Sequence, residues 1–164
     1  MKRQEFGKVK RFFDEAIESL DAIDRENGHA KGSPETVALR TTIRYNLARF
    51  YERTHEQQSA IVLYKKITKQ VPRYIDCHLR LGIIYKQRGD FFEADEWFKE
   101  AININKDSAD TWALMGNLRF RKNEWGPGQK HFEKIIKQHN GDTYRVASQQ
   151  MSGKLLKMAK NALK

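Results

Sequence analysis

The strongest constraint on what this chain can fold into is a spacing that occurs three times. In residues 75–108, Leu81, Gly82, Tyr85, Ala94, Phe98 and Ala101 alternate small and large side chains at helical intervals. A shift of 34 residues backward finds Leu47, Ala48, Tyr51, Ala60, Tyr64 and Ile67, with Pro72 after them. The same shift forward finds Met115, Gly116, Gly128, Phe132 and Ile135, preceded by Trp112. Each copy reads as two helices joined by a turn. The small residues let the two helices of a copy cross closely, and the large ones fill the gap to the next pair. No copy can bury its apolar stripe alone, so neighbours stack into one continuous core. At roughly 1.5–3 kcal/mol per buried large side chain, contacts between copies carry the stability. The expected fold is all-α, a right-handed solenoid of antiparallel helix pairs. It has three full repeats at 41–142 (41–74, 75–108 and 109–142) plus terminal helices.

The offsets L-G-x2-Y…A-x3-F…A resemble the tetratricopeptide repeat (TPR). In that family the first helix of each repeat lines a concave groove. The resemblance therefore places Tyr45, Arg49 and Arg53, then Leu79, Ile83 and Lys86, then Ala113, Asn117 and Arg121 on the binding face. Such a groove has an apolar middle flanked by cations, suited to a peptide segment carrying acidic and apolar residues. The competing expectation is that further repeats of the same protein fill it. TPR co-chaperones that grip acidic C-termini of heat-shock proteins use Lys, Asn and Arg at fixed groove positions. Here those positions hold Tyr45, Arg49, Arg80, Asp110 and Leu114. Asp110 stands where a cation would be needed, so that specialised clamp is not expected.

Taken in order, residues 1–32 read as the second helix of a truncated repeat and a loop. The helix spans Glu5 to Asp24, with Phe6, Val9, Phe13, Ala16, Ile17 and Leu20 on one side. No first helix covers it, which predicts an exposed apolar edge. Asn27 to Ser33 is the loop, and Ser33-Pro34 starts the next helix, with the serine as cap and proline at the first position. Asp90, then Asp107-Ser108, are the caps expected further on. Pro127 lies in a first helical turn, where a missing N–H costs little. Gly128 replaces the usual alanine at about 0.5–1 kcal/mol in helix propensity. A flexible corner is expected there, with Trp125 as a partly buried packing residue. Residues 143–164 carry Arg145, Lys154, Lys157, Lys160 and Lys164 and no acid. With Leu155, Leu156 and Leu163 they read as a basic helix capping the last repeat.

Composition narrows the function. The net charge of +10 favours acidic partners. A single cysteine, Cys77, excludes an internal disulfide framework and suits a reducing compartment. No apolar run approaches the ~20 residues of a membrane span, and MKRQEFGKVKRFF lacks the apolar core of a signal peptide. The histidines His29, His55, His78, His131 and His139 have no metal-ligand spacing, and no Gly-rich phosphate loop follows a strand. Acid pairs such as Asp95-Glu96 read as surface charge. No catalytic residue, metal site or cofactor is expected, and the chain reads as a non-enzyme.

One family resemblance is more specific. YNLARFYE, DCHLRLG, EADEWFKEAININKDSADTWALMGNLRFRKNEWGPGQKHFEKI and DTY, spread over residues 45–144, resemble the large TPR scaffold subunit of the polymerase-associated factor (PAF) complex. EWGPGQ is the most particular string. From Arg145 onward the sequence departs from the family. The resemblance implies a nuclear, non-catalytic scaffold that holds other PAF-complex subunits. It also implies association with elongating RNA polymerase II and support of cotranscriptional histone modification. Two alternatives stand beside it: a TPR adaptor of another pathway, and a basic helical repeat that binds nucleic acid through its lysine-rich tail.

Overall fold

Helix starts in this chain depend on which residues can turn a side chain back onto a free backbone N–H. In the computed structural model, which describes residues 2–28 and 32–138, two of the expected caps do so. Ser33 Oγ accepts from the Thr36 amide at 3.2 Å, with Pro34 opening the helix. Ser108 Oγ accepts from the Thr111 amide at 3.3 Å. Both serines have extended backbone, ψ 159° and 104°. Asp90 departs from expectation. Its ψ is 69° instead of extended, and no side-chain cap bond forms. The carboxylate lies instead 3.4 Å from Arg88 Nε.

Among the described residues there are seven α-helices and no strand. They are α1 (Lys2–Glu26), α2 (Pro34–Arg53), α3 (Gln57–Gln70), α4 (Ile75–Arg88), α5 (Phe91–Ile104), α6 (Ala109–Arg121) and α7 (Trp125–Gln138). The fold is all-α, of the TPR-like solenoid class. α1 is longer at both ends than the span expected from its apolar stripe. Residues 139–164, which include the expected basic cap, lie outside the described residues, as does the side chain of Phe6.

The repeat is visible in the backbone as well as in the side chains. His55, Gly89 and Asn123 all have positive φ, at 64°, 87° and 61°, and are 34 residues apart. At each, the next residue's N–H reaches back five positions: Glu56 to Tyr51 at 2.9 Å, Asp90 to Tyr85 at 3.0 Å, Glu124 to Arg119 at 2.9 Å. This is a Schellman closure, repeated in phase. Only the middle turn uses glycine, the residue without a Cβ penalty in this region. His55→Gly is therefore expected to raise the thermal midpoint, by a gain of about 1 kcal/mol. An unchanged or lowered midpoint in a calorimetric scan counts against this reading of the turn.

The chain divides into two compact units, residues 1–77 and 78–164. In the first, Leu47, Ala48, Ala60, Ile61, Tyr64, Ile67 and Cys77 are buried. α1 packs on α2, with Leu20 buried and Val9, Phe13, Ala16 and Ile17 partly buried. The expected exposed edge is thus partly covered, and the exposed aromatic on α1 is Phe12. A polar latch joins the two helices. The Asp24 carboxylate accepts from the Thr36 hydroxyl at 2.7 Å, Arg40 Nη2 at 2.6 Å and the Ser33 amide at 3.2 Å. Asp21 adds a contact to Arg40 at 2.8 Å. The Thr36 hydroxyl, helped by Arg40 and the Ser33 amide, holds the Asp24 carboxyl below the usual carboxylate range, against the opposing effect of burial.

In the second unit, glycine meets aromatic ring at three points, one between α4 and α5 and two between α6 and α7. A Cβ on Gly82 would run into the Phe98 ring, and one on Gly116 would come within 2.5 Å of Phe132. A Cβ on Gly128 would lie 2.6 Å from Phe120 and 3.2 Å from the Gly116 carbonyl oxygen. Gly128 is buried. It is therefore demanded by the close crossing of α6 and α7, which outweighs its cost in helix propensity. Trp125, just before it, is 44% exposed and leans its ring on Phe120 at 5.4 Å.

Asp95 corrects another expectation. It is buried rather than a surface charge, because α5 turns it toward α6. There Arg119 Nη2 stands 2.5 Å from one carboxylate oxygen, and Lys99 Nζ lies 2.9 Å from the other. Around them Ala94, Phe98, Met115 and Leu118 form a buried cluster, and Ala113, Phe120, Phe132 and Ile135 a second.

Candidate functional site

In the first unit the expected binding residues share one face of α2. Tyr45, Arg49 and Arg53 follow at intervals of four and line a pocket of about 280 Å³ with Asn46 and Phe50. The last two were missed by a reading that took only every fourth position. Their signal was present in the helical period, since residues one position along broaden the same face. Tyr45 packs between Tyr64 and Tyr74, with ring centroids at 5.8 Å and 5.5 Å. Burial, aided by Asp76, raises its phenol above the usual range, so it stays a neutral hydroxyl. Arg49 is partly engaged by Glu52, 3.6 Å away. Burial raises the Glu52 carboxyl, while the Tyr64 hydroxyl and Arg49 oppose that shift. Arg53 is exposed.

In the second unit Leu79, Ile83 and Lys86 lie along α4, and Asn117 and Arg121 along α6. Leu79 and Ile83 are half-buried, because both pack against the Ala94–Phe98–Met115–Leu118 cluster. Their outward edges alone are available to a ligand. Ala113 is buried outright and presents nothing. Lys86 is half-buried and Arg121 exposed. Burial first, and the Arg121 guanidinium second, pull the Lys86 ammonium below its ordinary value. No carboxylate is paired with either of them among the described residues.

Two of the heat-shock clamp positions lie on α6 of the second unit. Asp110 is exposed in the first turn of α6, and Leu114 packs on the core cluster beside Ile83. Among the described residues no group of three His, Cys, Asp or Glu side chains stands together to hold a metal. No described helix is long and apolar enough to cross a membrane.

A stack of antiparallel helix pairs with a 34-residue period, presenting polar and apolar side chains from its first helices, defines a tetratricopeptide-repeat protein. The tetratricopeptide repeat family matches residues 75–108. Among solved structures, the fold is similar to the first TPR of Spaghetti (RPAP3), a structure bound to an HSP90 peptide. The TM-score is 0.61 at 16% identity, covering 75% of this chain and 94% of that one. Within the class, the chain is a homologue of a segment of CTR9. It is 38% identical over 141 residues to the RNA polymerase-associated protein CTR9 of Caenorhabditis elegans, covering 83% of this chain and 12% of that protein. It is 28% identical over 124 residues to the CTR9 homolog of Arabidopsis thaliana, covering 75% of this chain and 11% of the relative. The chain spans only about a tenth of the length of these relatives. They are of the family that the strings at 45–144 resemble.

Proposed function

We propose that this chain is a protein-interaction segment of a nuclear, non-catalytic scaffold: the TPR subunit of the PAF complex, which attends RNA polymerase II during elongation. The observation that carries the reading is the 38% identity to CTR9 over 83% of the chain. The repeat architecture supports it, since stacked helix pairs create extended binding faces without needing catalytic groups. The side chains available agree: Tyr45, Arg49 and Arg53 on one unit, and Leu79, Ile83, Lys86, Asn117 and Arg121 on the other. They offer cations beside apolar surface, the chemistry that receives acidic, apolar segments of other subunits. Support of histone modification belongs to the same proposal.

Affinity capture from nuclear extract with the intact chain, followed by mass spectrometry, is the test. Retention of RNA polymerase II and of the proteins that travel with it is expected. Retention of cytosolic proteins alone would favour an adaptor of another pathway and overturn the reading.

A further inference from the structure

We propose that the outer face of α1 is a self-association surface, on which a second copy of this chain lays its own α1 antiparallel about a two-fold axis near position 13. The inference goes beyond the interaction reading above and does not depend on it.

Charge along this face of α1 is ordered, with the cations first and the acids after them. Lys8 and Arg11 are followed by Glu15 and Glu18, and all four side chains are exposed. Phe12 stands among them, 71% exposed, and lines a cavity of about 380 Å³ with Lys8, Arg11 and Glu15. At 3.6 residues per turn, the five positions fall within about a third of the helix circumference. Among the described residues none of the four charges is in an ion pair. Arg11 and Glu15 are four positions apart, but a cation placed before its acid is the weaker order for such a pair within one helix. The face therefore holds two cations, two carboxylates and an aromatic ring that the rest of its unit leaves unmatched.

The four charges are symmetric about position 13. Lys8 and Glu18 lie about 7.5 Å along the axis on either side of it, and Arg11 and Glu15 about 3 Å. An antiparallel copy with its two-fold axis there sets Lys8 against Glu18 and Arg11 against Glu15, each pair twice. The two Phe12 rings, one residue from the axis, meet at the centre. A parallel copy would set like charge against like. The chain's net charge of +10 opposes association in general. This face is itself neutral, however, and repulsion from the rest of the chain is screened at physiological salt. Other occupants match only half of it. Nucleic acid complements the two cations alone, and the basic segment 143–164 complements the two acids alone. The self-complementary order is what selects a second copy.

The test is analytical ultracentrifugation of the purified, intact chain over a range of concentrations at moderate salt. Wild type is expected to pass from monomer to dimer as concentration rises. Arg11→Glu and Glu15→Arg each convert two attractive contacts of the dimer into repulsive ones, so each is expected to weaken dimerisation about tenfold or more. An equimolar mixture of these two variants is expected to dimerise again, because each then meets the opposite charge on its mate. Phe12→Ser is expected to weaken dimerisation as well. All three side chains are exposed, so thermal melts of the variants should match wild type, which separates lost association from lost folding. A wild-type chain that stays monomeric throughout overturns the proposal, whether another protein or the chain's own basic segment then covers the face. Charge-reversed variants that dimerise as well as wild type overturn it too. So does a mixture that associates no better than its components, since that rules out the antiparallel register.

Discussion

Phe98→Ala is expected to lower the unfolding free energy by about 3–5 kcal/mol, the cost of emptying a fully buried aromatic site. Phe98 is 0% exposed and lies against Gly82 on α4 while packing with Ala94, Met115 and Leu118. Of its neighbours only Met115 is flexible enough to lean into the vacated space, so the cavity collapses in part at most. The reciprocal change, Gly82→Ala, pushes a methyl into the ring and should cost about 1–3 kcal/mol through overpacking. Combined as Gly82→Ala with Phe98→Leu, the added methyl occupies space the smaller side chain vacates. The pair should therefore cost less than the sum of the singles. Denaturant melts of the four proteins give the cycle. Strict additivity would show that the glycine and the ring do not constrain each other.

Arg119→Met should be the next most damaging substitution, at about 3 kcal/mol, the low end of the cost of breaking a buried pair. It leaves Asp95 buried with only the half-exposed Lys99 for company. It also removes the 2.9 Å bond from Arg119 Nη1 to Glu124 beside the turn into α7, leaving Lys122 as the partner of that carboxylate. The measurement is chemical unfolding of Arg119→Met alone and with Asp95→Leu. Removing both charges is expected to restore most of the loss, since the penalty lies in the orphaned carboxylate rather than in the missing bond. If the double variant is no more stable than Arg119→Met, the carboxylate is not what the arginine serves.

These two sites differ in how far sequence reasoning reaches them. Phe98 and Gly82 are members of the 34-residue pattern, so their burial and partnership follow from the period alone. Asp95 and Arg119 are ordinary charged residues on amphipathic helices, and nothing in their spacing marks them as a pair. The same holds for Asp24 and Arg40, which a loop separates. Among the expected binding residues, Tyr45, Arg49 and Arg53 were legible as one face of α2, and they line one pocket. Leu79 and Ile83 were read as the apolar middle of the groove, yet they are half taken up by the Ala94–Phe98–Met115–Leu118 cluster, whose position helical periodicity on α4 alone does not reveal.

What this sequence determined by itself is the unit: paired helices on a 34-residue period, two of the three expected caps, and the large apolar side chains of the repeat that face inward. Those follow from local rules, in which a 3.6-residue turn and a 34-residue period assign each side chain to a face. Tertiary structure decided what each face meets. How closely α6 and α7 cross makes Gly128 a requirement instead of a weakness. The approach of α5 to α6 turns Asp95 from a surface charge into a buried ion-pair partner. Charge pairing depends on distances between helices, and those distances are set by the packing of the large side chains, which no single helix encodes.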